Sequence, residues 1–195
     1  MKTDIVLAGV GGQGILSVAT ILGVAALKEG LNIKQAEVHG MSQRGGDVQS
    51  NLRISSKPIH SDLIPNGKAD LIVSLEPMEA LRYLPILSPE GWIVTSTTPF
   101  VNIPNYPNME VIKKELAKGG NLIAFDMEEM SKDVASPRSS NMVLLGATSH
   151  FIELTSDKIE DAIRSVFVNK GEAIAEVNIK AFRAGREKAI SFIAK

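Results

Sequence analysis

Asp4-Ile5-Val6-Leu7-Ala8-Gly9-Val10-Gly11-Gly12-Gln13-Gly14 is an apolar run that breaks into four glycines within six residues. A helix-like pattern follows, so the stretch reads as strand, tight turn and helix. The spacing Gly9-x-Gly11-x-x-Gly14 suits a backbone that turns sharply, admits an anion or another chain segment at close range, and packs its helix on its strand. The free N–H groups of the helix start then point at whatever lies there. Two readings stay open at this point: a bound phosphate or nucleotide, and close packing within the chain. On the first reading Gly9, Gly11, Gly12, Gln13 and Gly14 are the contact residues.

The rest of the chain narrows the class. Its 195 residues fit one domain, residues 1–195, large enough to bury a core without crosslinks. Hydrophobic residues are 44%, charged ones 22% and the formal net charge is -1, so there is neither the basic excess of a nucleic-acid binder nor the polarity of a disordered chain. With no cysteine, the chain offers no thiolate nucleophile, disulfide or iron–sulfur ligand. His39, His60 and His150 form no helical i,i+4 pair, and no metal is expected. The uncharged run from Ile5 to Leu27 is long enough to suggest a signal or a membrane span, but its central glycines and Gln13 remove the continuous apolar bulk that a span needs. A cytoplasmic protein with no membrane and no nucleic-acid partner is expected.

Outward from the first turn, Ile15 to Leu27 is apolar nearly all round, with a small face of Ala19, Gly23 and Ala26 suited to lying close to a sheet or a neighbouring subunit. Gly30 ends that helix and Ile33 to Val38 makes a second strand, a βαβ unit that implies a parallel pair. Glu37 stands where a dinucleotide-binding domain places the acid that holds a ribose hydroxyl. The polar loop beyond it, His39-Gly40-Met41-Ser42-Gln43-Arg44-Gly45-Gly46, sets an arginine beside two glycines. Gln43, Arg44, Gly45 and Gly46 suit an anion held by guanidinium and backbone N–H groups together, or an ordinary surface loop. Asp47 to Ile54 then alternates as a half-exposed strand.

Farther along, Ala69 to Leu75 reads as a buried strand, Pro77 opens a short helix, Ser88-Pro89-Glu90-Gly91 reads as a turn, and Trp92 to Ser96 as a strand. The three prolines between Thr97 and Asn108 make that stretch a long loop, whose Phe100 and Tyr106 either anchor a partner or pack a connection. Val111 to Ala117 is a helix and Leu122 to Phe125 a strand, with Asp126 as the cap of the next helix. Pro137 to Leu154 reads as an apolar helix whose Asn141 and His150 need partners if buried. Asp157 and Glu160 resemble a capping box, and Lys170 to Ala194 is a final amphipathic helix. The fold expected is α/β, doubly wound and Rossmann-like: a mainly parallel sheet of five to seven strands, helices on both faces, and an antiparallel excursion after the second strand.

The pairing of Gly9-Val10-Gly11-Gly12-Gln13-Gly14 with Glu37-Val38-His39-Gly40-Met41-Ser42-Gln43-Arg44-Gly45-Gly46 resembles the small, gamma-type subunits of the 2-oxoacid:ferredoxin oxidoreductases, the indolepyruvate branch most closely. Asn141-Met142-Val143-Leu144-Leu145-Gly146-Ala147 and Asn178-Ile179-Lys180-Ala181-Phe182-Arg183-Ala184-Gly185 are similar to the same family. The resemblance implies a pyruvate/ketoisovalerate oxidoreductase-type domain within an enzyme that cleaves a 2-oxoacid oxidatively to acyl-CoA and carbon dioxide, reducing ferredoxin. It implies further that thiamine diphosphate and the iron–sulfur clusters belong to a large partner subunit, with coenzyme A as co-substrate. No catalytic residue is expected on this chain, and in isolation the chain is expected to be inactive and to self-associate or lose heat stability. Two other classes remain at this stage: a free-standing dinucleotide-binding oxidoreductase, and a non-catalytic scaffold or binding module.

Overall fold

In the computed structural model, which describes residues 1–40 and 45–194, the opening apolar run becomes β1, Lys2–Val10. Ile5, Val6, Leu7 and Ala8 are all fully buried, so β1 is central and covered on both faces. Ile5 and Leu7 join a large core with the helices α1 (Ile15–Lys28), α4 (Met127–Val134), α5 (Ser140–Thr148), α6 (Ser156–Phe167) and α7 (Glu172–Ile193). Val6 and Ala8 point the other way, into a smaller core with α2 (Pro77–Arg82) and α3 (Met109–Lys118). Helices therefore cover both faces, as expected.

The remaining strands are β2 (Asn32–His39), β3 (Asp47–Ser55), β4 (Ala69–Ser74), β5 (Leu87–Ser96) and β6 (Asn121–Phe125), in the spatial order β2-β3-β1-β4-β5-β6. The expected parallel pairing of the first two strands does not occur. β3 lies between them, antiparallel to both, with Ser50 opposite Leu7 and Gln49 opposite Val38. The short return through residues 40–46 makes β3 the natural partner of β2, and the polar face of β3 tolerates coverage by a loop carrying Ile64 instead of a helix. The β1-β4, β4-β5 and β5-β6 pairs are parallel, so the sheet is mixed: a parallel half joined at β1 to an antiparallel half.

Other boundaries shift for local reasons. The expected turn Ser88-Pro89-Glu90-Gly91 belongs to β5 as a bulge, since Ala69 pairs with Leu87 and Leu71 already with Trp92. The expected helix from Pro137 starts only at Ser140, because the Ser139 amide is taken by the Ser136 carbonyl in a turn, and it ends in a 3-10 turn over Ser149–Phe151. The Asp157–Glu160 capping box does not form. Thr155 is the N-cap of α6 with no side-chain bond, and Glu160 instead receives Arg183 from α7 at 2.6 and 2.7 Å. Asp126 does cap α4, accepting from Glu129 N at 2.8 Å.

Gly23 faces open space, so the expected close approach is not made inside this chain. Real close approach occurs where α5 crosses α7. A Cβ on Gly146 would stand 2.0 Å from the Phe182 carbonyl oxygen, and one on Gly185 2.0 Å from that of Val143. Each helix thus presses its backbone against a glycine of the other, which joins the two late motifs into a single contact. Asn141, at the start of α5, reaches back to donate to the Gly14 carbonyl at 3.1 Å. Among the described residues no helix is long and apolar enough to cross a membrane.

Candidate functional site

β1 and β4 are parallel neighbours, yet the helix after β1 packs on one face and the helix after β4 on the other. Their chains diverge at the carboxyl ends, and such a divergence opens the crevice in which α/β sheets bind ligands. The first glycine loop rims one side. Gln13 folds into it, its Oε1 accepting from Val10 N at 2.8 Å and its Nε2 donating to Leu75 O on the β4 side at 3.4 Å.

Three of the four glycines of that loop have a local cause. A Cβ on Gly9 would meet Gln13 Oε1 at 3.0 Å, and one on Gly14 would meet Asn141 Nδ2 at 2.8 Å. Gly12 adopts φ 104° and Gly14 φ 76°, conformations that side chains resist. The chain's own groups make these close approaches. What remains for a ligand is the first turn of α1, whose N-cap Gly14 supplies no side-chain bond and which carries no acidic residue.

Gly11 joins the two glycine loops. Its N–H donates to Gly46 O at 2.8 Å, and its carbonyl accepts from Gly45 N at 3.3 Å, so the β1-β3 ladder continues past the strands. Gly40 N donates to Asp47 O at 3.0 Å and closes the neck of the second loop. Gln43 and Arg44 lie outside the described residues. Of the predicted contact residues, Gly9, Gly11, Gly12, Gln13, Gly14, Gly45 and Gly46 are thereby gathered at one edge of the sheet. Glu37 is not positioned as a dinucleotide-binding acid: β3 separates β2 from β1, whereas that role needs the acid on the strand directly beside the first loop.

Several residues at this edge carried little sequence signal. Glu76, only 1% exposed, follows β4 and caps α2, its Oε2 accepting from Glu79 N at 2.7 Å. Its Oε1 receives the Tyr106 hydroxyl and, at 3.4 Å, Phe100 N. An acid directly before a helix-opening proline was the one legible hint. Asn102 donates to Gly45 O at 2.7 Å, and Thr98 Oγ1 donates to Asp126 at 2.8 Å, so the 97–108 loop is strapped across the edge. Burial, and then the bond to Glu76, raises the Tyr106 phenol well above its ordinary value. Tyr83, the C-cap of α2, is pushed up to about 12 by burial first and by Glu79 second.

A cavity of about 580 Å³ opens beside the first loop, between Ser17 at the start of α1, Arg138 and Ser139 before α5, Lys170, and Asn178 on α7. Asn141 forms part of its wall, and its buried Oδ1 has no hydrogen-bond partner among the described residues. No group of three His, Cys, Asp or Glu among the described residues is placed to hold a metal.

The chain and its fold have relatives among known proteins. Residues 4–188 match the family model described as pyruvate ferredoxin/flavodoxin oxidoreductase. The indolepyruvate oxidoreductase subunit IorB of Thermococcus kodakarensis is 37% identical over 192 residues, covering 93% of each chain. That of Archaeoglobus fulgidus is 34% identical, covering 98% of this chain and 97% of its own. Among solved structures, the gamma subunit of a keto/oxoacid ferredoxin oxidoreductase from Geobacter sulfurreducens superposes with a TM-score of 0.71 at 27% identity, over 97% of this chain and 99% of that one. The 2-oxoglutarate:ferredoxin oxidoreductase of Magnetococcus marinus shares the fold with a TM-score of 0.76 at 23% identity, over 97% of this chain but 31% of that longer one. The joined glycine loops and the glycine-to-backbone helix crossing thus sit in a chain that belongs to the pyruvate ferredoxin/flavodoxin oxidoreductase family.

Proposed function

We propose that this chain is the small subunit of an indolepyruvate, or other aryl pyruvate, ferredoxin oxidoreductase, and that its carboxyl-edge loops help form the place where substrate or coenzyme A is held. The observation that carries the reading is a difference in similarity. Four indolepyruvate oxidoreductase subunits are 34–38% identical to this chain over nearly its full length, whereas the 2-oxoglutarate and pyruvate/ketoisovalerate relatives are 27–30% identical.

The chain's own residues fit a supporting role. It has no cysteine for a cluster and no assembled metal group among the described residues, so this reading gives the iron–sulfur clusters, with thiamine diphosphate, to a larger partner. Thiamine diphosphate bound there supplies the electron sink for decarboxylation. This chain supplies a wall in which Gln13 fixes the first loop and Gly11 ties it to the second. The N–H groups of the α1 first turn and the arginine of the second motif suit a carboxylate or phosphate.

The test is co-expression with a large thiamine diphosphate and iron–sulfur subunit of this enzyme class, followed by anaerobic viologen reduction with indolepyruvate, phenylpyruvate, pyruvate and 2-oxoglutarate. The expected result is the highest kcat/KM for the aryl substrates and no turnover by the small chain alone. Turnover by the isolated chain, or a preference for pyruvate or 2-oxoglutarate, overturns the reading.

A further inference from the structure

The Glu76 carboxylate is nearly sealed from water and forms no ion pair with any described residue, so its charge depends on hydrogen-bond donors. Among the described residues three donors serve it. One, Glu79 N, belongs to the helix that Glu76 caps; the other two, the Tyr106 hydroxyl and Phe100 N, belong to the 97–108 strap. Between those two anchors lies Asn102, whose amide holds Gly45 O. Gly45 in turn donates to Gly11 and adjoins the glutamine–arginine pair of the second motif.

We propose that Glu76 is a positioning residue for the second glycine loop, acting through the strap by way of Tyr106 and Asn102. The carboxylate requires the strap's donors, so the strap is held closed by the cost of leaving a buried charge poorly solvated. The closed strap presents the Asn102 amide to Gly45, and the Gly45 and Gly11 amides then share one ladder. Phe100, Val101 and Ile103 around Asn102 stay 39, 66 and 37% exposed, so the strap has no sealed apolar tip of its own to hold it down. The Tyr106 ring packs against the smaller core at the far end of the strap, and polar anchoring holds the tip. The effect on turnover rests on the reading of this edge as the ligand-facing one; the effect on the loop does not.

The experiment uses the full chain and its complex. Tyr106→Phe removes one strap bond and leaves the α2 cap intact, while Asn102→Ala removes only the contact to Gly45. Amide exchange at Gly11 and Gly45 is expected to rise roughly tenfold in each, as for loss of one strong hydrogen bond. The double variant is expected to match the larger single effect, because both changes cut the same chain of contacts. Exchange at Val94 in β5 should stay unchanged. Glu76→Gln, which offers one acceptor oxygen where three donors converge, should mimic Tyr106→Phe at Gly45 and also loosen the start of α2. In the complex, the KM of the oxoacid or of coenzyme A should rise with kcat nearly kept.

If Tyr106→Phe leaves Gly45 exchange at the wild-type rate while Asn102→Ala raises it, or if the two effects simply multiply, the inference fails. If exchange behaves as expected and both KM values stay at wild type, the positioning role stands, and the assignment of this edge to the substrates falls instead.

Discussion

Gly146→Ala is the sharpest test of how this fold is held. The added methyl would sit 2.0 Å from the Phe182 carbonyl oxygen and 2.7 Å from Arg186 N, where ordinary contact begins near 3.4 Å. Both obstacles are backbone of α7, so no side chain can swing aside, and the two helices must separate by more than about 1 Å. Overpacking of this kind costs about 1 to 3 kcal/mol, and two rigid obstacles favour the upper end. Alanine recovers about 1 kcal/mol of helix propensity, leaving a net loss of roughly 2 kcal/mol. For a chain of this size that loss lowers Tm by roughly 4 to 8 °C. Urea unfolding of the full chain at fixed concentration reads it as a lower midpoint at unchanged slope. Gly23→Ala is the paired control: its methyl meets open space, so the same substitution should raise stability by about 1 kcal/mol. A Gly146→Ala protein as stable as wild type would refute the packing account of both late motifs.

Two further outcomes follow from buried groups. Tyr83 keeps its proton up to about pH 12 in the folded chain against 10.0 when free, so its burial contributes fully below about pH 10 and that contribution is lost as pH rises toward 12. Tyr83→Phe should therefore flatten the fall of Tm between those values, and an unchanged slope would count against it. Asp4, 1% exposed, receives Arg53 at 2.8 and 2.9 Å; Asp4→Ala leaves Arg53 Nε and Nη2 without their acceptor, its Nη1 keeping the Ser61 and Leu63 carbonyls, and should cost roughly 3 kcal/mol in urea unfolding, and a cost under about 1 kcal/mol would mean that water replaces the pair.

What could be read from the residues alone depended on how local the cause was. The β1 run, its glycine turn and the helix after it were legible because apolar periodicity and glycine spacing act within a dozen residues. The neighbour of β1 was not: β2 and β3 both carry acceptable strand patterns, and which of them lies beside β1 is decided by pairing between strands about 40 residues apart, in which β3 runs antiparallel to both. The reason for Gly146 and Gly185 lay in a contact between distant helices, which no single helix pattern contains. At the candidate site the glycines were visible, but Asn102 and Glu76 owe their places to a loop crossing the sheet edge. The Asp157–Glu160 pattern misled because Arg183, on another helix, offered Glu160 a stronger partner.

The insertion of β3 also sets an order of events during synthesis. Leu7 of the central strand pairs with Ser50 on one side and Val73 on the other, so both of its neighbours are made long after it. Until then Ile5 to Ala8, destined for complete burial, has no strand to lie against. β2 and β3 need only a short return to meet, so their low contact order favours pairing as a hairpin before β1 joins its open edge. The central strand is thus shielded only after two later strands are made, and a nascent chain stalled before residue 47 leaves the apolar run Ile5 to Ala8 without a strand partner, which invites aggregation or a chaperone.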